Sequence, residues 1–321
     1  MVERMMVLKL SVSSKGYLFI AISGILFGCV GIFVNFLSAF NVPTNIISFF
    51  RPFISFIILY IYLFLRHRDL LKVDRKGLLI IALLGFFSQT LFNTFYFSSI
   101  ERTTIATAVV LLYSFPVFVT IIARILYKEL LTLPKIIALI ISLTGCFLTA
   151  TGGSLEVLKL NELGVLLGLG AGFAFSLVPI ISKSLVTKYH QLTIVCYSMG
   201  FGSLFSFLFF NPRELFLIEY NTSIILNLLA IGFLVNTLAY LFYTTGISYK
   251  IQTSKASIIN TIEVPVAVFV SFIIFNENIF GVKLFGVLLV ILSVILVEYG
   301  ENLMAKYKKS SKVSIHHRNI N

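Results

Sequence analysis

Ten runs of about 20 predominantly apolar residues, each bounded by charged residues or by Gly, Pro or Asn, decide what this chain can fold into. They lie at 17–37, 45–65, 77–98, 104–125, 134–152, 163–182, 191–210, 223–245, 254–275 and 281–299. The period of the runs is not amphipathic, since helices surrounded by lipid and by one another have no aqueous face. Backbone polar groups at that depth must be satisfied within the segment, which demands helices rather than open strands. Composition agrees: only 12% of residues are charged, against about 25% in soluble domains, and mean hydropathy is +1.00. The chain reads as an all-α integral membrane protein of ten transmembrane helices. Its 321 residues leave no room for a sizeable soluble domain.

The net charge of +12 would suit a nucleic-acid binder if it were clustered, and it is not. Twenty of the 25 Lys and Arg fall in the tails and alternate connections on the side of the N-terminus. Four (Arg102, Lys159, Arg213 and Lys283) fall on the other side, and Arg51 lies inside a span. By the positive-inside rule both termini, the 66–76 loop and the 183–190 loop face the cytoplasm. The charge therefore serves topology, with no nucleic-acid partner implied. The basic tail after Tyr307 suits contact with anionic lipids. Cys29, Cys146 and Cys196 sit in apolar runs without paired spacing and read as buried thiols. All four His are in loops or the tail, so no metal site and no cofactor is expected within the membrane. A cleavable signal peptide at span 1 is not expected, because span 1 has a counterpart in mid-chain.

The two halves repeat. Gly85-Phe86, Gln89-Thr90-Leu91, Tyr96 and Ile100 in span 3 answer Gly232-Phe233, Asn236-Thr237-Leu238, Tyr243 and Ile247 in span 8, at one offset of 147. Gly16 and Gly24 answer Gly164 and Gly172 at 148, as Glu129 and Lys135 answer Glu277 and Lys283. Pro116-Val117 and Pro265-Val266 open the second halves of spans 4 and 9. Five spans per copy is an odd number, so the second copy sits upside down relative to the first. Inverted repeats of this kind are an architecture of secondary transporters, whose substrate site lies near the bilayer midplane between the copies.

Two five-span repeats, the Phe50-Arg51 pair in span 2, and the segment from Pro116 to Gly145 echoed by Glu263 to Ser293 resemble the EamA family of the drug/metabolite transporter superfamily. The resemblance covers residues 16–299. It implies a cytoplasmic N-terminus (1–15), two five-helix repeats (16–152 and 163–299), a basic cytoplasmic tail (300–321), a central cavity, and exchange or export of small metabolites. The second repeat departs from the first where Gly200 aligns with Arg51, and where Asn-Ile-Phe follows Glu277 in place of Leu-Leu-Thr after Glu129.

Charge inside hydrocarbon costs roughly 2.5–3.5 kcal/mol on insertion scales, so each such residue needs a reason. Only Arg51 and Glu263 sit well inside spans. Glu263, near the midplane of span 9, reads as a substrate or proton site, or as a protonated packing residue. Pro265, two residues on, is expected to kink the helix there. Arg51 reads as a carboxylate-recognition group, or as a clamp on loop carbonyls or lipid phosphate. Gln89, Asn93 and Tyr96 share one face of span 3, and Asn236, Tyr240 and Tyr243 share the matching face of span 8. Two matched polar stripes are expected to line the cavity from opposite sides. Tyr113, Ser114 and Asn260 are weaker candidates. Gly24, Gly28, Gly31 and Asn35 of span 1, matched by Gly172, Ser176, Pro179 and Lys183 of span 6, read chiefly as helix-packing stripes.

Other classes fare worse. The only two Asp (Asp69 and Asp74) share one loop, and no span carries His, so intramembrane aspartyl, metallo- and serine hydrolysis all lack their groups. No phosphate-binding Gly loop is present to drive an ATP engine. A channel or receptor gains nothing from mirror-related copies. The expected protein is a secondary transporter and not an enzyme. It would be a monomer or weak homodimer of the plasma membrane that moves a small polar metabolite, such as an amino acid, by alternating access, proton-coupled or as an exchanger.

Overall fold

The computed structural model describes residues 12–208, 212–216, 218–276, 279 and 281–318, with side chains described as far as 300. Arg4, Lys9 and Glu277 lie outside the described residues, as do the side chains of the basic tail. Among the described residues nine apolar helices are long enough to cross a membrane, at Val12–Ala39, Thr44–Arg66, Arg75–Arg102, Ile105–Tyr127, Leu133–Thr151, Glu162–Leu185, Thr222–Ser248, Thr253–Phe275 and Val282–Gly300. A tenth, Gln191–Phe207, is apolar but shorter, and the 191–210 run ends on residues outside the description. These are spans 1 to 10 in chain order, with Gln191–Phe207 as span 7.

Helix starts follow local chemistry. Asp74, Thr104, Asn161 and Asn221 each accept a hydrogen bond from the backbone N–H three residues on, capping spans 3, 4, 6 and 8. Spans 4 and 9 both end on a residue in the left-handed conformation, Lys128 (φ 53°) and Asn276 (φ 51°), at an offset of 148.

The principal helix pairings join one repeat to the other: 5 with 10, 2 with 7, 3 with 6, and 1 with 8. Span 4 also meets span 9. Exchanging the repeats maps the 3–6 pair onto 8–1 and leaves 2–7, 5–10 and 4–9 unchanged, as a two-fold axis in the membrane plane requires. Lipid offers apolar helices no hydrophobic reason to associate, so close packing and polar contacts must do it. Spans 5 and 10 touch backbone to backbone; a Cβ at Gly145 would lie 2.8 Å from the Gly286 carbonyl oxygen. Ser23, Ser55 and Ser99 donate across helices to the carbonyls of Ala239, Gly232 and Gly164, each at 2.8 Å. Such bonds contribute about 0.6 kcal/mol apiece.

The connections sort onto two faces. One, the terminal face, holds both ends of the ten-helix bundle and the loops near 67–74, 128–132, 186–190 and 249–252. All three ion pairs formed among the described residues lie on it: Lys72–Asp69, Lys183–Glu129 and Lys188–Asp74.

Candidate functional site

Among the described residues five spans depart from regular helix: span 1 breaks at Cys29 with no counterpart in span 6, and the other four depart in matched pairs. Spans 3 and 8 each contain a wider π-helical segment, Phe86–Leu91 and Ile231–Leu238. Such segments recur at functional sites because the extra residue re-aims its neighbours. Spans 4 and 9 each tighten at mid-membrane. The N–H groups of Ser114, Thr261 and Ile262 reach back three residues rather than four, and new half-helices begin at Phe115 and Glu263. Pro265 is therefore not the kink that its residue type suggests. The break comes before Glu263, and Pro265 is the third residue of the second half-helix. Its missing N–H falls there among groups that have no intrahelical partner in any case.

Glu263 thus opens a half-helix midway through the bundle. The Tyr113 side chain stands beside its carboxylate, and Asn260 Nδ2 donates to its Oε2 at 3.5 Å. Tyr96, Tyr240 and Tyr243 stand within electrostatic reach of it. None of the ion pairs among the described residues involves it. The Asn260 Oδ1 beside it is buried without a hydrogen-bond partner.

The second charge is also within electrostatic reach of Tyr240. Arg51 of span 2 points at span 8, where its Nη2 donates to Asn236 Oδ1 at 3.4 Å. Its Nε is buried with no hydrogen-bond partner, and no ion pair among the described residues involves it. Tyr240 is in electrostatic reach of both Arg51 and Glu263, and it stands beside Gln89 and Ser88 of span 3. Gln89 and Asn236 are both buried, so neither polar stripe faces lipid. Asn93 turns its amide back onto the Gln89 carbonyl within its own helix. Tyr96 stacks on Phe92 with ring centroids 5.8 Å apart. Ser114 is drawn away from this group; its hydroxyl donates to the Leu111 carbonyl at 2.6 Å, against Gly172 of span 6. Ser88 has no signal in the sequence, because it lies off the 4-and-3 spacing that the π-helical segment distorts.

The glycine stripes hold the two breaks in place. Gly172 packs on the Leu111 and Leu112 carbonyls of span 4, while Gly24 packs on Asn260 and Ile262 of span 9. A Cβ at Gly28 would lie 2.7 Å from the Glu263 carbonyl oxygen and 2.7 Å from the Val266 Cβ, whereas a Cβ at Gly31 would meet nothing within 4 Å. Gly28→Val should therefore displace the Glu263 turn and cut transport at least about tenfold, the scale on which misplaced groups act. Gly31→Val should stay near wild type in the same vesicle assay. Equal activity of the two would separate the stripe from the Glu263 turn.

A second polar cluster, on the terminal face, shows in the sequence only as a repeated motif. Glu129, in the loop after span 4, is buried. It accepts bonds from the backbone N–H and hydroxyl of Thr253 at 2.8 and 2.9 Å, from both donors of Ser254, and from Lys183 Nζ at 2.8 Å. Burial pushes its pKa up, but the Lys183 and Ser254 hydrogen bonds, the Lys183 charge and the Thr253 N–H outweigh that and hold it at about 2. Lys135 is buried beside it, donating to the Leu130 carbonyl at 2.6 Å and to Gln252 Oε1 at 2.8 Å. A separate aromatic groove of about 490 Å³, lined by Phe49, Phe53, Phe56, Phe201 and Phe207, lies between spans 2 and 7 and shares no residue with either polar cluster.

The sequence pattern of the EamA-like transporter family matches residues 14–151 and again 162–299. The chain belongs to the EamA-like transporter family. It thereby falls in the drug/metabolite transporter superfamily. An uncharacterized transporter of Archaeoglobus fulgidus is 26% identical over 86% of this chain and 94% of its own length. The uncharacterized inner membrane transporter YicL of Salmonella typhimurium is also 26% identical, over 88% of this chain and 95% of its own length. A crystal structure superposes with a TM-score of 0.75 at 14% identity, covering 88% of this chain and 96% of the other, and so shares the fold. As an EamA-like protein with these helices, the chain is a multi-pass membrane protein of a transporter family, with lipid around it and a small molecule as the implied substrate.

Proposed function

We propose that this chain is a secondary transporter of the cell membrane that moves a small zwitterionic metabolite, such as an amino acid, by alternating access between its inverted repeats. In this reading the substrate carboxylate meets Arg51 and its ammonium meets Glu263, with Tyr240, Gln89, Asn236, Asn260, Tyr113, Tyr96 and Tyr243 around it. One observation carries it: the Arg51 guanidinium, with its buried and unpartnered Nε, and the Glu263 carboxyl both stand within electrostatic reach of Tyr240 and form no ion pair with each other. A buried charge without a partner is costly, so each is a place where a ligand of the opposite charge gains most. A guanidinium fork matches a carboxylate in particular. The terminal face is cytoplasmic in this reading, on the strength of the positive-charge bias. Single cysteines at Ser154 and Asn221 should then react with an impermeant thiol reagent from outside intact cells; reaction only after permeabilisation would reverse or break the topology.

The test of substrate class is counterflow in liposomes carrying the purified protein. Amino acids are offered beside their deaminated acids and decarboxylated amines. Zwitterions should compete at least about tenfold better than either half-molecule, since each half leaves one buried charge unmet. Equal competition by the amines or by the acids would remove one end of the proposal.

A further inference from the structure

The two repeats are not in the same state. Thr253–Asn260, the first half of span 9, is buried at every residue. The matching first half of span 4, Ile105–Leu112, buries only Thr107 and Ala108. Ile105 is 67% exposed where its counterpart Thr253 is 0% exposed. The terminal face is thus closed around span 9, with spans 1, 4, 6 and 10 packed on its first half, while the corresponding region of the opposite face is open around span 4.

The Glu129 cluster joins the two repeats at the terminal face, as do the Lys188–Asp74 pair and the Lys135–Gln252 bond. It ties the loop after span 4, in the first repeat, to the end of span 6 and the start of span 9, in the second. Gln252, which precedes span 9, makes no side-chain cap of its own; Glu129 supplies the acceptors that the first N–H groups of that helix need. On the opposite face Thr104 caps span 4 locally. Lys183 has no charged counterpart there either, since Asn35 stands at the matching position. Lys183 also lies over the Tyr127 ring, 4.6 Å from its centroid. Hydrogen bonds at a membrane face can be exchanged for bonds to water at little net cost, so this closure can open and re-form where an interlocked apolar one would resist. The tightened turn at Thr261–Ile262 gives the first half of span 9 a place to swing.

We infer that the Glu129–Lys183–Thr253–Ser254 cluster is the lock that holds the terminal face shut, and that opening toward that face requires it to break. The inference rests on the alternating-access reading, but its test uses no substrate. Ser257 lies one turn inward of Thr253 and is fully buried. In a background with Cys29, Cys146 and Cys196 changed to Ala, Ser257→Cys reports opening through its rate of reaction with an impermeant thiol reagent, added to sealed vesicles that expose the terminal face.

Glu129→Gln and Lys183→Met should each raise that rate about tenfold by shifting the population toward the open state, and Lys183→Arg should keep it near the starting value. If Glu129→Gln does not reach the membrane, Lys183→Met and Thr253→Val decide. Unchanged rates in well-folded variants would overturn the lock, and so would a lowered melting temperature with unchanged rates, the signature of a static staple. Normal zwitterion counterflow alongside unchanged labelling would sink the lock alone. Faster labelling in a protein that moves no zwitterion would sink the substrate reading alone.

Discussion

Replacing Glu263 with Gln should slow zwitterion counterflow by about 10- to 100-fold, the range for losing a hydrogen bond to a charged group. Gln keeps the volume of Glu and can still accept from the Asn260 amide that now bonds the carboxyl, beside the Tyr113 side chain. The fold, read by thermal melting, should therefore survive, and the loss can be assigned to charge. The defect should appear as a raised KM and be selective. Deaminated acids, which bring no ammonium to this point, should compete with the zwitterion as well as or better than they do in the wild type. A Gln variant that keeps counterflow but loses proton-driven accumulation would make Glu263 a proton carrier instead. One that keeps both would return it to packing.

Arg51→Gln should have the mirror-image effect on substrate and an unusual effect on stability. Loss of the guanidinium should weaken carboxylate-bearing substrates by about 10- to 100-fold, leaving decarboxylated amines little changed. Arg51→Lys should recover only part of the loss, because an ammonium cannot offer the planar two-pronged contact. Yet the melting temperature should hold or rise. The buried Nε now has no partner, and the Nη2 bond to Asn236 is long at 3.4 Å. Removing an unpaired buried charge relieves a desolvation cost. A fall of the melting point and of transport for all substrates together would make Arg51 a structural clamp.

Hydropathy is enough to read the ten spans, and the repeat is enough to match positions between the two copies. Gln89 and Asn236 can be paired from sequence because one offset of 147 carries seven identities or close matches around them. What escapes the sequence depends on backbone detail that side-chain pattern does not encode. The π-helical segment at Phe86–Leu91 contains ordinary helix-compatible residues, and Gly232 and Asn236 within Ile231–Leu238 do not distinguish a π-helical turn from a regular one. The turn at Thr261–Ile262 carries neither Gly nor Pro. The nearest helix breaker, Pro265, sits harmlessly in the first turn of the half-helix beyond it. The direction of Arg51 follows from the rotation of span 2 about its axis, marked in the sequence only by Ser48 and Ser55 at spacings of 3 and 4 from it. Glu129 resembles any loop carboxylate; only its recurrence as Glu277 marks it, and its partners at Thr253 and Ser254 are far off in sequence.

The most direct measurement is an experimental structure of the protein in lipid with a counterflow-active zwitterion bound. The expected result places the carboxylate within hydrogen-bond distance of the Arg51 guanidinium, including its now unpartnered Nε, and the ammonium on Glu263, with Tyr240 alongside. A zwitterion seated in the aromatic groove between spans 2 and 7, or one whose carboxylate lies away from Arg51, would contradict the account.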